Sequence, residues 1–352
     1  LLSRSSTETR TDERHEAILG SGISGKSVTA ESGKDILLKG SSIVGDDTLS
    51  LKAGDITLTT ETQRDYSASY KKTKKSGLMG SGMGILLGKE EKSRDLQQLS
   101  QTNVESIVGS IGGRVSIEVD NQAEIKNGRL LAGKDVKISG KDVTIENGQN
   151  TTESKEVQTY SRSGLSISLG GETLDSLQQI YQPIHRAGEV KDHRLQALYG
   201  LDAAQSAKDV LKQKGYNPVK DKVRLGLHMG ISSSSSKADS VVTEKAAVPS
   251  LIQAKGDVLV HAEKDIKVQG SAISGENVVL DAGRNVEISA AENRMESRNN
   301  SRIKSAGVGA TIGLTGQQAG LSFDVYGNKG KENEREQRIT HTGSHITAEK
   351  KA

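Results

Sequence analysis

Gly270-Ser271-Ala272-Ile273-Ser274-Gly275 is the stretch that decides the fold, because three other segments of the chain have nearly the same residues in the same order. The other copies are Gly20-Ser21-Gly22-Ile23-Ser24-Gly25, Gly40-Ser41-Ser42-Ile43-Val44-Gly45 and Gly343-Ser344-His345-Ile346-Thr347-Ala348. An internal repeat of this kind indicates a fold that is built from one recurring unit.

Polar residues typical of turns fix the length of that unit. Around the copy at residue 270 they are Asp257, Asp265, Asn277 and Asn285, with gaps of 8, 12 and 8 residues. The same gaps separate Ser27, Asp35, Asp47 and Asp55 around the earlier copies. The unit is therefore about 20 residues long.

Most of these turn positions are followed by two apolar residues with one residue between them. The pairs are Ile36 and Leu38, Ile56 and Leu58, Val136 and Ile138, Val143 and Ile145, Val258 and Val260, Ile266 and Val268, and Val286 and Ile288. Because side chains alternate along a strand, each pair shares one face, which stacked coils bury and a single coil cannot. The sequence predicts an all-β protein, a parallel β-helix (β-solenoid) with extruded β-hairpins and one helical insertion.

The composition fits a narrow solenoid interior. Aromatic residues make up 2% of the 352 residues, with one Phe and no Trp, while Gly numbers 39. Ladders of Ile, Leu and Val fill such an interior without large rings. The mean hydropathy of −0.53 keeps disorder open as an alternative, more for the segments between the repeats than for the repeats.

Charge and cysteine content restrict the function classes. The net charge of +3 gives no argument for a nucleic-acid partner, and the basic run Lys71-Lys72-Thr73-Lys74-Lys75 is interpreted as a solvated hairpin flank. Cysteine is absent, which excludes disulfides and thiolate chemistry. No signal peptide or apolar transmembrane run is visible, and the chain opens and closes within a repeat, which predicts a piece of a longer protein.

The repeats divide the chain into coils and insertions. Coils are predicted at residues 1–60, 115–148, 254–291 and 339–352, and extruded hairpins at 61–114, 149–253 and 292–338. The second insertion also contains a helical segment, 173–215, with Thr173 as N-cap, a stop at Pro183 and a second apolar stripe that ends near Gly215.

One string matches the phosphate-binding loop letter for letter. Gly20, Gly25, Lys26 and Ser27 satisfy G-x-x-x-x-G-K-S, but that loop needs a helix behind it, and a turn at residues 32–35 follows instead. The copy at residue 270 has Glu276 and Asn277 where the lysine and serine would act. We therefore expect no nucleotide.

The histidines and serines do not form a recognisable site. His341 and His345 have a metal-pair spacing only on a helix, and their surroundings predict strand. His185, His193 and His228 have no nucleophile setting, and residues 232–236 are interpreted as a flexible serine-rich tip. The sequence predicts no catalytic, cofactor-binding or metal-binding residue, no cofactor and no enzyme.

Several short motifs occur together in a combination specific to one family. They are Gly33-Lys34-Asp35, Gly133-Lys134-Asp135, Ser76-Gly77-Leu78, Ser163-Gly164-Leu165 and the helix from Arg194-Leu195-Gln196-Ala197-Leu198. With the G-S-x-I blocks, essentially the whole chain resembles bacterial filamentous haemagglutinins, and more narrowly the second haemagglutinin-repeat region of CdiA-type contact-dependent growth inhibition exoproteins.

The resemblance implies a location and partners. Members of the family are exported through an outer-membrane two-partner-secretion transporter and displayed on the bacterial cell surface, where they meet a target-cell surface or outer membrane. Their toxicity resides in a separate C-terminal domain, so this region is expected to be a non-catalytic filament segment that serves as a stalk or delivery region.

Three alternatives stay open. A plain adhesin that binds host or neighbouring cells needs no toxin domain. Membrane-active delivery is suggested by the alternating stretch from Val223 to Ile231, which has about the length of a tilted membrane-spanning strand. A polysaccharide-cleaving β-helix enzyme is disfavoured because the carboxylates recur at corner positions as part of the repeat.

Overall fold

The structure is a computed structural model that describes residues 3–81, 84–170, 226–313 and 321–348. In these ranges the regular elements are all strands, which confirms the all-β prediction. They form a parallel solenoid and a separate antiparallel sheet. The predicted helical segment 173–215 lies outside the described residues.

The solenoid has three parallel faces. Two long strands, β2 (Gly22–Glu31) and β4 (Ser42–Ala53), bend across the first corner and contribute to faces 1 and 2. Face 1 continues with β8 (Ser106–Ser110), β11 (Gly128–Ala132), β16 (Leu251–Ala254), β19 (Ala272–Gly275) and β24 (His345–Ala348). Face 2 continues with β9 (Val115–Val119), β12 (Val136–Gly140), β17 (Val258–Ala262) and β20 (Val278–Ala282). Face 3 contains β3 (Asp35–Lys39), β5 (Asp55–Thr59), β10 (Gln122–Lys126), β13 (Asp142–Glu146), β18 (Asp265–Gln269) and β21 (Asn285–Ser289).

The pairing register gives the coil length directly. Asp35 pairs with Asp55, and Asp265 pairs with Asn285, at the 20-residue distance that the turn positions predict. Other parts of the coils are one or two residues longer, and β2 has a bulge between Gly25 and Ser27. The parallel β-helix prediction is confirmed.

Apolar ladders fill the interior. Along face 2, Leu51, Ile117, Ile138 and Val260 stack in register and are each fully buried. Each such side chain contributes about 1.5–3 kcal/mol of burial. At the last coil the ladder of face 3 ends on Ile288, which is 53% exposed, because no described strand covers it.

The G-S-x-I block closes the corner between faces 3 and 1. At residue 270 the glycine has φ +51°, the Ser271 hydroxyl donates to the Gln269 carbonyl (2.8 Å), and Ile273 enters the core. Gly40 (φ +52°) and Ser41 repeat this geometry. The glycine supplies the left-handed turn, and the serine satisfies a strand-end carbonyl.

The antiparallel sheet, which we call the projecting sheet, has seven strands. In spatial order they are β1 (Arg4–His15), β6 (Glu61–Ser81), β7 (Gly84–Val104), β14 (Gly148–Gly170), β15 (Gly226–Val248), β22 (Ala291–Gly313) and β23 (Leu321–Thr342). Strands of 21 to 23 residues are about 70–75 Å long at about 3.3 Å per residue. The extruded hairpins of the sequence prediction are therefore strands of one continuous sheet.

The continuity of this sheet has a simple geometric cause. A hairpin leaves the corner between faces 3 and 1 after every second coil, following β5, β13 and β21. Two coils advance the solenoid by two strand spacings of about 4.8 Å, and one hairpin occupies the same two spacings. Successive hairpins thus arrive in position to pair edge to edge.

Three short segments differ from the coil or insertion to which the sequence analysis assigned them. Residues 4–15, assigned to the first coils, pair with β6 in the projecting sheet. β8 and most of β16, assigned to insertions, form face 1 of coils. Their blocks begin Glu105-Ser106 and Pro249-Ser250, since a chain that arrives from a hairpin needs no left-handed glycine. The serine remains, and its hydroxyl donates to a carbonyl in both cases.

The tight corners pack beneath the first residues of the hairpins. The corner residue and the hairpin residue above it are Gly40 with Glu61, Asn127 with Gly148, and Gly270 with Ala291. A Cβ built on Gly270 would lie 2.3 Å from the Ala291 Cβ, and one on Gly148 would lie 2.5 Å from the Asn127 Cβ. One member of each pair is therefore glycine. The glycine is the corner residue at Gly40 and Gly270 and the hairpin residue at Gly148.

Candidate interaction surface

The two faces of the projecting sheet differ in exposure at its outer end, which is the end far from the solenoid. This outer end begins at a row of small residues that crosses the strands, with Gly77, Gly88, Gly164 and Ser232 as neighbours. Beyond that row the sequence alternates between large apolar and small residues, so each strand presents its apolar side chains to one face.

The exposed face carries a contiguous group of apolar side chains, which we call the apolar tip face. Cross-strand register places them in adjacent rows: Leu78, Ile85, Leu87, Leu165, Met229, Ile231, Val308, Ile312, Leu321, Phe323 and Val325. Exposure reaches 78% at Phe323 and 82% at Val325. A contiguous apolar patch of this kind is typical of an interaction site.

Three rows on the same face, immediately nearer the solenoid, are strongly cationic. We call their cations the basic belt: Arg4, Lys72, Lys74, Lys89, Lys237, Arg302, Lys304, Lys329 and Lys331. The same three rows contain nine cations and two carboxylates, Glu8 and Glu91. The next three rows toward the solenoid on this face contain five cations and five carboxylates.

Most of the belt has no counter-charge. Glu91 pairs with Lys72 (2.7 Å) and Lys74 (3.9 Å), and the hydrogen bond to Lys72 lowers the pKa of Glu91 and raises that of Lys72. Lys237 pairs with Asp239 at 3.3 Å. Within the described part of the chain the other six belt cations form no ion pair. Their charge is therefore free to act on an external partner.

The opposite face of the outer end is closed by side chains that cross over glycines. His228 Nε2 and Asp324 Oδ1 lie 3.2 Å apart, and both lie within 3 Å of the Cβ that Gly309 lacks. The Tyr326 ring covers Gly307 in the same way. These contacts stabilise the sheet, as aromatic side chains over strand glycines do, and they lie on the face opposite the apolar tip face.

The structure places the phosphate-loop string in a solenoid corner. From Gly22 onward the string is part of β2, which continues as strand to Glu31 where a phosphate loop would begin a helix. The Lys26 amine is exposed and lies 3.9 Å from an Asp47 carboxylate oxygen. Without a helix N-terminus the string does not form a phosphate cradle.

The histidines that the sequence singled out are dispersed. His341 lies next to the last residue of β23 in the projecting sheet, whereas His345 begins β24 in the solenoid. His228 pairs with Asp324, and His185 and His193 lie outside the described residues. Among the described residues, no three His, Asp or Glu side chains are grouped as a metal ion would need. The described ranges also contain no helix with the length and apolar character to cross a membrane.

Comparison with known proteins decides the family. The sequence profile of the "Hemagglutinin repeat" family matches residues 2–92, 87–176 and 229–352, which together make up most of the chain. The chain belongs to the hemagglutinin repeat family. The solenoid with hairpins after every second coil is therefore the form that this hemagglutinin repeat region adopts.

Several curated proteins named CdiA are similar to this chain. The chain is 33% identical over 89% of its length to the 16S rRNA endonuclease CdiA of Enterobacter cloacae, and 29% identical over 96% to the tRNA nuclease CdiA of Yersinia mollaretii. A protein named Toxin CdiA from Yersinia pestis is 29% identical over 90% of the chain. The chain spans 10–12% of these relatives' own lengths. No solved structure matches it. The chain is therefore a CdiA-type filamentous hemagglutinin repeat region.

Sequence reasoning missed the basic belt. The run at residues 71–75 was its only local sign, and alternation sends Lys72 and Lys74 to one face and Lys71 and Lys75 to the other. The remaining belt cations come from strands up to about 260 residues away in sequence. Only the cross-strand register brings them together.

Proposed function

We propose that this hemagglutinin-repeat segment is a non-catalytic stalk of a toxin-delivery protein. The observation that carries the proposal is the solenoid itself, in which the carboxylates of corner residues bond the next coil. The Asp55 carboxylate accepts from the backbone N–H of Gln122 (2.9 Å), and the Asp135 carboxylate accepts from the backbone N–H of Asp257 (3.1 Å). These groups hold coils together, and stacked coils give length.

The names of the relatives support a place in contact-dependent growth inhibition. They are called nucleases and toxins, and the similarity reaches this chain through its repeat region. In the parent protein we place the segment outside the producing cell, on the bacterial surface, after export through an outer-membrane two-partner-secretion transporter. A chain without cysteine passes such a route without disulfide formation.

A direct assay separates stalk from enzyme. The purified chain is incubated with total bacterial RNA and with acidic polysaccharides, and the products are separated by gel and by chromatography. We expect no cleavage of either substrate. Cleavage of either substrate would contradict the non-catalytic assignment.

A plain adhesin remains the alternative, and an inhibition assay on the parent protein distinguishes the two. Removal of residues 61–147, which contain one hairpin and two coils, leaves the alternation of coils and hairpins unbroken. A delivery stalk predicts that producers of this variant still inhibit neighbouring cells, with altered efficiency. Producers of the intact parent that bind neighbours and never inhibit them would support the adhesin.

A second role is favoured by the apolar tip face. Eleven large apolar side chains exposed in adjacent rows need a partner that removes them from water. We propose that this face contacts the outer membrane of the target cell. In liposome flotation the chain is expected to rise with lipid, and a Phe323→Asp, Val325→Asp variant is expected to stay behind. Equal behaviour of both proteins would contradict the contact.

A further inference from the structure

We propose that the projecting sheet docks flat on membrane surfaces that carry anionic lipid phosphates, and that the basic belt selects them. The inference rests on the membrane contact proposed above and adds the charge of the surface. It combines two features of one sheet face: an apolar tip face that enters the lipid boundary and a cationic belt directly beside it.

Position is the first argument. The belt row that contains Arg4 and Lys89 is two residues from the apolar row of Leu78 and Leu87, or about 7 Å along the strands. Cations at this distance from inserted apolar groups lie at the depth of lipid headgroups, as they do in interfacial amphipathic segments. The exposed face therefore presents both groups to the same surface at once.

Charge is the second argument. The belt has nine cations against two carboxylates, whereas the next three rows on the same face are balanced. Within these six rows the excess lies in the three that border the apolar tip face. A solvated flank without a partner would not need this localisation, and a basic cluster beside a membrane segment is typical of anionic lipid binding.

The same charge disfavours two other occupants of the face. Residues 171–225, which follow β14 and precede β15, contain nine basic and seven acidic residues, so the segment has no net negative charge to offer the belt. A second copy that packed face to face with its strands parallel would set belt against belt, and like charges in contact oppose association. Anionic lipid is the occupant whose charge complements both features.

Vesicle binding tests the selection. The purified chain is mixed at low salt with phosphatidylcholine vesicles and with vesicles that also contain phosphatidylglycerol. We expect about tenfold or more tighter binding to the anionic vesicles, and loss of this preference at high salt. Equal binding to both vesicle types at low salt would overturn the belt's role while leaving membrane contact intact. Binding to neither would instead overturn the contact on which the inference rests.

Matched variants test the belt residues. Lys304→Gln, Lys329→Gln, Lys331→Gln removes three belt charges that have no ion pair in the described residues. The control, Lys155→Gln, Arg298→Gln, Arg335→Gln, removes three charges from the balanced rows of the same face. We expect the belt variant to lose most of its anionic preference and the control to keep it. Equal loss in both would contradict the assignment, because net charge alone would then explain binding.

A soluble polyanion distinguishes lipid phosphates from free phosphates as the partner of the belt. Polyphosphate is added as the probe to the wild-type chain and to the Phe323→Asp, Val325→Asp variant. If lipid surfaces are the partner, both proteins bind polyphosphate only weakly, and the wild type prefers anionic vesicles. Polyphosphate binding as strong as vesicle binding would overturn the lipid assignment in favour of a free polyanion. Self-association of the wild type through the tip without vesicle binding would overturn it in favour of a second copy.

Discussion

Asn127 shows how single residues adapt the repeat. It has φ +49° at a corner where Gly40 and Gly270 stand in other coils, and it is the only left-handed residue other than glycine among those described. Asparagine tolerates this conformation better than most residues. Its side-chain amide is buried without a hydrogen-bond partner in the described chain, and Gly148 above it leaves room for its Cβ.

Gly148→Ala tests this adaptation. The added methyl group would meet the Asn127 Cβ at 2.5 Å, so we expect a loss of about 1–3 kcal/mol in the free energy of unfolding. Adding Asn127→Gly recreates the Gly270 and Ala291 combination and should recover most of the loss. Denaturant unfolding measures both variants. A double variant no more stable than Gly148→Ala alone would show that the pair is not reciprocal.

Asp265 supplies a pH dependence at the residue scale. Burial raises its pKa, but hydrogen bonds from Arg284 and Asn285 outweigh that effect and hold the pKa below the ordinary 3.8. Its stabilising contribution is therefore present above pH 3.8 and is lost as the pH falls through the lower folded value. We expect the melting temperatures of wild type and Asp265→Asn to converge in that acid range. A constant difference across the range would contradict the role of the carboxylate.

Individual coils depend on their neighbours for burial. Ile138 lies in an inner coil and is fully buried, whereas Ile288 lies in the last complete coil of the described residues and is half exposed. We expect Ile138→Ala to cost about 2–5 kcal/mol and Ile288→Ala less than about 1 kcal/mol. Equilibrium unfolding in denaturant compares them. Similar losses for the two variants would argue against a ladder whose strength comes from stacking.

At the scale of elements, sequence predicts what depends on local chemistry. Coils are predicted from turn residues such as Asp257 and Asp265 and from alternating apolar pairs such as Val258 and Val260. These features can be read because the strand, the turn and the buried face all depend on neighbours in sequence. The repeat blocks at Ser106 and Ser250 are not recognised from sequence because a preceding hairpin removes the need for glycine. Their serine and apolar residues remain, but those two alone are too common to signal a repeat.

At the scale of the whole molecule, pairing between hairpins is not visible in sequence. β7 and β14 come from different insertions, and nothing local states that Ser93 will face Thr159. The basic belt and the apolar tip face depend on the same pairing. They follow from the geometry of the solenoid, which sets the spacing at which hairpins leave.

Deletions test that geometry. Removing residues 127–147 takes away one coil, so two hairpins would leave the solenoid one strand spacing apart where two are needed. We expect this variant to lose pairing between β7 and β14 and to become sensitive to protease. Removing residues 61–147 deletes a complete unit and should preserve resistance. Equal resistance of both deletions would contradict the matched spacing.

The most direct measurement is disulfide formation between neighbouring hairpins. The chain has no cysteine, and the Ser93 and Thr159 hydroxyls lie 2.6 Å apart across β7 and β14. Oxidation of the Ser93→Cys, Thr159→Cys variant should form an intramolecular disulfide in high yield. The Ser93→Cys, Tyr160→Cys control, whose side chains point to opposite faces, should not. Absence of the first disulfide, or equal yields in both variants, would contradict a solenoid whose hairpins join into one sheet.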